Sequence, residues 1–202
     1  MILTYHGGHC IKVSQGNKTI VVNPHSKTSS FGGVKGGADV ALISLHHPDF
    51  AGVSGISGEP FVIDTPGEYE VGDITVRGFG VVTHYDGVER YNTIYQVHFE
   101  DIVFLFVGAL ENLDIDQKIL GNLDDIDVLV VPIGGDTLLE TGEASKLATK
   151  LEAHAIIPVE YTPSALKAFQ NDMESSAQSV DKFTFKKKDV ADMQGEVVVV
   201  GK

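Results

Sequence analysis

The chemistry-bearing residues of this chain gather in one stretch, residues 38 to 52, which reads Ala-Asp-Val-Ala-Leu-Ile-Ser-Leu-His-His-Pro-Asp-Phe-Ala-Gly. Imidazole and carboxylate groups at such short spacing are the ligands of divalent metals and the donors and acceptors of acid–base chemistry. If the segment is extended, alternate side chains share a face, so Leu45, His47 and Asp49 point one way and His46 and Pro48 the other. The apolar run Val40 to Ile43 predicts a buried strand that delivers this loop.

The elements that must position the loop follow from the rest of the pattern. Ile2 to Tyr5 and Cys10 to Val13 predict two strands broken by Gly7-Gly8. A hairpin turn at Gln15-Gly16-Asn17 then leads into Lys18 to Asn23, completing a β-meander that closes at Asn23-Pro24-His25. The glycine-rich stretch from Ser26 to Gly37 predicts a long loop, a feature that often lies over functional sites. Phe61 to Ile63, Asp73 to Phe79, Asn92 to Phe99 and Ile102 to Val107 predict further strands, with a turn at Thr65-Pro66-Gly67-Glu68-Tyr69-Glu70.

From Leu113 the pattern becomes helical segments alternating with buried strands. Helices are expected at Ile115 to Leu120, at Gly142 to Glu152 with Thr141 as N-cap, and from Pro163 to about Met173. Val128 to Ile133, Ala155 to Val159, Val180 to Phe185 and Val197 to Val200 supply the strands between and after them. Meanders followed by βαβ-like crossovers predict an α/β (α+β) sandwich of mixed sheets with helices outside.

The length of 202 residues suits one domain spanning 1–202, able to bury roughly two thirds of its unfolded surface. With 28 acidic against 15 basic residues, the formal charge of −13 argues against nucleic acid or an acidic membrane as a partner. Lys186-Lys187-Lys188 is the only concentrated basic run and reads as a solvated strand end. Cys10 is the sole cysteine, so no internal disulfide forms. The opening Met-Ile-Leu-Thr-Tyr carries no basic segment leading into an apolar signal region, and no apolar run approaches the ~18 residues of a membrane span, so a soluble cytoplasmic protein is expected.

The loop Ser44-Leu45-His46-His47-Pro48-Asp49-Phe50 resembles the Thr-His-x-His-x-Asp-His motif of the metallo-β-lactamase superfamily. Gly8-His9-Cys10, Asn23-Pro24, Pro66-Gly67-Glu68-Tyr69-Glu70, Asn92-Thr93-Ile94-Tyr95, Pro132-Ile133-Gly134-Gly135 and Ile157-Pro158 follow in the order found in small hydrolases similar to L-ascorbate-6-phosphate lactonase. The resemblance covers nearly the whole chain. It implies a four-layer αββα sandwich of two mixed sheets, with a metal site at one edge between the halves.

It also implies which residues stand at the ligand positions. His47 and Asp49 are kept, and Glu160 in Pro158-Val159-Glu160-Tyr161 stands where the family has its last histidine. Leu45, Phe50, Phe106 and Ala109 stand at the other four. Family hydrolysis relies on a metal-bound water whose pKa falls to about 7. One metal would keep only His47 and the other Asp49 with Glu160, each short of the three protein ligands usual for catalytic zinc.

Each candidate also has a plain structural reading. Asp49 suits an N-cap for the turn at Phe50-Ala51-Gly52, with His47 hydrogen-bonded to backbone. His9 is either a cleft residue, as its family position implies, or a satisfied histidine between sheets. His84-Tyr85-Asp86 looks like a family loop facing the site or an ordinary polar turn, and Glu68 is expected to hold its own turn through backbone amides. Gly134-Gly135-Asp136-Thr137 resembles a phosphate cradle only loosely, since Asp136 would repel an anion, and Cys10 reads as a small buried residue.

The leading expectation is a family member without the two-metal centre and without a cofactor. Its edge cleft would bind a small molecule or a protein, or the chain would serve as a homo-oligomer subunit. The alternative is a hydrolase with one divalent metal (zinc, manganese or iron) at His47, Asp49 and Glu160, joined by His9 or His84. Nucleic-acid processing is the weakest reading.

Overall fold

The meander at the start forms as three antiparallel strands, β1 (Ile2–Tyr5), β2 (Ile11–Gln15) and β3 (Lys18–Val22), with Gly16 at φ +58° in the turn between the last two. The structure is a computed structural model that describes residues 1–135 and 137–202. After β4 (Gly36–Gly37), the buried strand β5 (Val40–Leu42) runs parallel to β3. Beyond the short β6 (Ile56–Ser57), β7 (Phe61–Ile63) lies parallel to β5.

The second sheet begins with β8 (Gly67–Val71) and a long hairpin of β9 (Ile74–Tyr85) and β10 (Val88–Phe99), followed by β11 (Ile102–Phe106). Its remaining strands are parallel: β12 (Val128–Pro132) and β13 (Ala155–Val159), with β15 (Glu196–Val197) at the edge. The strand β14 (Phe183–Thr184) returns to pair with β1. The sheet orders are therefore β14-β1-β2-β3-β5-β7 and β15-β13-β12-β11-β10-β9-β8, both mixed.

The two sheets face one another across a core of alternate side chains, Leu3, Val13 and Leu42 from the first against Val97, Phe104 and Phe106 from the second. Tyr95 ties them together, its hydroxyl donating to the carbonyls of Ile43 (3.0 Å) and Ile63 (3.2 Å). On the outer face of the second sheet, Leu129 and Ile156 pack under Leu147 of α2 (Thr141–Lys150) and Phe169 of α3 (Pro163–Asp172). The expected α+β sandwich is thus the observed one. The outer layer of the first sheet is thin: Val34, Ala38, Val53 and Ile56 cover Cys10, Val21 and Ala41.

Local differences have local causes. The first helix, α1, is only Gln117–Leu120, because Asp116 caps it by accepting from the Lys118 amide. Glu140, not Thr141, precedes α2, and the Glu143 carboxylate accepts its amide (3.4 Å). Pro163 opens α3 as expected, behind Thr162. Of the strand expected at Val197 to Val200, only the start pairs with β13, and Val200 makes a single bridge to Val180. The basic run at 186–188 is not a strand end: it opens α4 (Lys187–Ala191), and the Lys187 ammonium reaches Asp127 at 2.7 and 2.8 Å.

Candidate active site

Strand β5 ends at the edge where both sheets meet, and three backbone bonds hold the loop that follows it. The Ile43 amide donates to the Ile63 carbonyl (2.9 Å), the Ser44 amide to Asn23 Oδ1 (2.8 Å), and the Thr93 amide to the Ser44 carbonyl (2.8 Å). Asn23 reaches it from a left-handed conformation at φ +50° that asparagine tolerates. Beyond Ser44 the chain coils through turns instead of extending: the His47 amide donates to Leu45 O, and the Phe50 and Ala51 amides to His47 O, each at 2.9 Å. Leu45 and Phe50 are fully buried, His47 and Asp49 partly buried, and His46 exposed.

Asp49 is not a helix cap, because the one-turn helix that follows begins after Gly52. Its carboxylate accepts from the Tyr85 hydroxyl (3.1 Å) and lies 3.3 Å from His47 Nδ1. Leu45, Phe50 and Ala109 pack with Tyr85 and Leu138 in one apolar cluster, and Phe106 belongs to the core between the sheets.

His9 and Glu160 come from opposite halves of the chain and touch, Nε2 against Oε2. Neither atom has another hydrogen-bond partner among the described residues. His9 is 3% exposed and stacks on Phe50 with ring centres 4.3 Å apart. Glu160 sits at φ +45° just past β13, where its amide donates to Gly8 O and to the Tyr5 hydroxyl, both at 3.1 Å. Gly134 allows that approach, since a Cβ there would fall 2.3 Å from the Glu160 carbonyl. Burial by itself would raise the Glu160 pKa, but the charge and hydrogen bond of His9, helped by His25, outweigh it and hold the carboxyl below its ordinary range.

Sequence reasoning missed His25 as a member of this cluster. Its side chain is fully buried beside Phe31 and beneath Gly8, and neither ring nitrogen has a partner among the described residues. Burial, and then the neighbouring His9, lower its pKa to about 4, so it is neutral at neutral pH. Tyr85, in the His84-Tyr85-Asp86 loop, has its hydroxyl pKa raised by burial and by the carboxylates of Glu160 and Asp49. The Asn23-Pro24-His25 turn was the signal that could have found His25.

Two of the four cleft candidates are not brought to this place. The exposed His84 turns toward Glu111, with Nδ1 3.2 Å from Oε2, because its position on β9 faces away from the cluster. Glu68 is exposed on the edge strand β8 opposite Arg77, and its turn is held instead by the Tyr69 hydroxyl on Thr65 O (3.0 Å) and Pro66 O (3.3 Å). Asp86 stands at the rim, at φ +54° on the hairpin tip, 3.9 Å from His47 Nε2. Asp136 lies outside the described residues.

Two adjoining hollows of about 540 Å³ each open over this cluster and share Gly135, Leu138 and Glu160. One is walled by Tyr5, Phe31, Tyr161 and Lys202, the other by His47, Asp49, Tyr85 and Asp86. The cleft thus offers an imidazole–carboxylate pair, further carboxylates as acceptors, and apolar walls. It can bind a polar small molecule, and the pair can hold or pass a proton.

Two mixed sheets carrying a His/Asp loop at their shared edge define the class. The family described as the Beta-lactamase superfamily domain matches residues 2–160, and the chain belongs to it. A UPF0173 metal-dependent hydrolase of Geobacillus sp. (strain WCH70) is 24% identical over 198 residues, covering 80% of this chain and 85% of its own. Another, of Natranaerobius thermophilus, is 21% identical over 216 residues, covering 89% and 94%. Among solved structures, one assigned as a Zn-dependent hydrolase of the metallo-beta-lactamase superfamily from Thermotoga maritima superposes with a TM-score of 0.79 at 26% identity, covering 100% of this chain and 99% of that one. The metallo-beta-lactamase fold protein YhfI from Bacillus subtilis shares the fold, with a TM-score of 0.62 at 10% identity, covering 100% and 96%. No helix among the described residues is long and apolar enough to cross a membrane.

Proposed function

We propose that this chain keeps the family's fold and edge cleft without the two-metal centre, and that the cleft binds a polar small molecule instead of hydrolysing it by metal-bound water. The observation that carries this reading is the burial of Leu45, Phe50 and Ala109 in one apolar cluster at positions where the resemblance implies metal ligands. Burying each of the two large side chains contributes about 2 kcal/mol to folding, and an ion placed against them would forfeit its hydration with no donor in return. Of the remaining donors, Asp49 accepts from the Tyr85 hydroxyl and Glu160 lies against His9. Among the described residues no three His, Cys, Asp or Glu side chains are grouped to hold an ion. This donor set does not fit a two-metal centre.

A second reading rests on a specific observation, that His47, Asp49 and Glu160 line one hollow. It assigns the chain a single divalent metal and keeps the metal-dependent hydrolysis named for its relatives. One experiment separates the two: elemental analysis by plasma mass spectrometry of untagged protein purified without chelator, before and after challenge with zinc, manganese and iron. The first reading expects far less than one metal per chain in every condition. Near-stoichiometric metal that disappears in Asp49→Ala overturns it in favour of the second.

A further inference from the structure

The glycine-rich stretch from 26 to 37 does not lie over the cleft alone. Its far side faces residues 52 to 57, and the two segments meet backbone to backbone. A Cβ at Gly52 would fall 2.1 Å from the His25 carbonyl carbon and oxygen, and one at Gly55 would fall 2.4 Å from the Val34 carbonyl oxygen. Gly36 adopts φ +106°, and Gly36–Gly37 pair in parallel with Ile56–Ser57. Val34 and Ile56, both buried, pin the two segments to the outer face of the first sheet.

Between them lies a separate cavity of about 560 Å³. Lys27 and Lys35 line it from one segment and Ser54 and Ser57 from the other, with His25 and Val34 also in its wall. The Lys27 side chain starts along Gly33, whose Cβ position is 3.2 Å from Lys27 Cγ. A third ammonium, Lys12 Nζ, braces the rim by donating to Lys35 O (3.2 Å) and Gly37 O (3.4 Å). None of the side chains lining the cavity is a carboxylate, although acidic residues outnumber basic ones 28 to 15 in the chain.

From this lining we infer that the cavity is a binding site for a phosphate-type oxyanion, the free ion or a phosphate monoester. The lining supplies two ammoniums and two hydroxyls, drawn from both segments. A tetrahedral dianion has enough acceptor positions to meet them together, whereas a carboxylate has only two oxygens. A local positive field in a strongly acidic protein also concentrates anions that the rest of the surface repels. Among the described residues the cavity shares no lining residue with the two hollows of the cleft, although His25 of the cleft cluster forms part of its wall.

Isothermal titration of the intact chain with inorganic phosphate at low ionic strength tests this, with sulfate and acetate in parallel. One saturable phosphate site is expected, with sulfate competing and acetate much weaker. Lys27→Gln/Lys35→Gln should weaken phosphate binding by about tenfold and Lys27→Glu/Lys35→Glu by more, while Asp49→Ala leaves it unchanged. Amide shifts in the two-dimensional NMR spectrum on adding phosphate should centre on Gly33, Gly36, Ser54 and Ser57. The inference is overturned by no binding up to about 10 mM phosphate, by binding that survives both lysine pairs, by shifts centred elsewhere, or by acetate binding as tightly. Glucose 6-phosphate binding more tightly than inorganic phosphate would identify the monoester as the preferred form, and the reverse would identify the free ion.

Discussion

His9 and Glu160 meet in direct contact at the edge of the sandwich, the histidine from the turn after β1 and the glutamate from the end of β13. The pair ties the first half of the chain to the second at the point where the Glu160 amide also bonds Gly8 O and the Tyr5 hydroxyl. Removing one member strands the other in a largely buried setting, which costs more than the net worth of the pair. Glu160→Gln and His9→Ala should each lower unfolding free energy by about 2 kcal/mol, measured by chemical denaturation. A double-mutant cycle should show coupling of about 1 kcal/mol or more; coupling near zero would refute the pair as an energetic unit.

Acid should weaken the fold in two stages. His25 has its pKa lowered from 6.5 to about 4 by burial and by His9, so between those values the unfolded chain binds the proton that the folded chain refuses. Its contribution therefore falls as pH drops through 6.5, levels off near 4, and reaches at most roughly 3 kcal/mol. Glu160 acts lower on the scale. Its carboxyl is held below the ordinary 4.5, so its stabilisation is present above that value and is lost as pH falls through the lowered one. Thermal melts from pH 7.5 to 4.5 should show a steady fall in Tm, and His25→Gln should flatten the stretch from 6.5 to 4.5.

Asn92 fixes the strand ends that face the site. Its amide nitrogen donates to Val107 O and its oxygen accepts from the Ala109 amide, both at 2.9 Å, and it is fully buried. Gly108, at φ +62° between those residues, has no room for a Cβ, which would meet Asn92 Oδ1 at 2.3 Å. Asn92→Leu leaves two buried backbone groups unsatisfied and should cost about 2 to 4 kcal/mol in denaturant titration. Asn92→Asp, which keeps the acceptor and loses the donor, should fall between the two proteins.

The strands were legible wherever side chains alternate or run apolar without a break, because burial on one face or two writes itself into the residue types. Phe61–Ile63 and Ala155–Val159 are found where the pattern puts them. The hairpin β9–β10 runs past Phe79 to Tyr85 and starts again at Val88, because backbone pairing carries it through Gly80 and the exposed Val82 and Tyr91, where no core pattern exists. At the cleft, the inward set Leu45, His47 and Asp49 was readable from spacing, though the chain reaches it by turns. His25 carries no periodic signal, and the Asn23-Pro24-His25 turn marks only where it stands in the chain; the fold brings it under Gly8. The positions of Glu68 and His84 were decided by which face of β8 and β9 they occupy, and a local motif does not contain that.

The apolar filling at the implied ligand positions makes a constructive prediction. Leu45 and Phe106 are both buried, and the resemblance groups their positions with His47. If these side chains, and not a changed backbone, are what departs from the family's metal chemistry, then Leu45→His together with Phe106→His should supply two imidazoles beside the existing one. Three protein ligands are the usual number for a catalytic zinc. The double variant should lose about 4 to 6 kcal/mol of stability without metal, since two core side chains are exchanged for smaller polar ones. Zinc should restore much of that loss, because an ion that binds only the folded chain stabilises it by mass action. The measurement is the zinc-dependent rise in Tm of the double variant against the parent protein, with bound metal counted by mass spectrometry. A rise in the variant alone would locate the departure from the implied ligand set in those side chains. An equal response in both proteins would mean that zinc already has a site in the parent, and no response in either would place the change in the backbone that presents these positions.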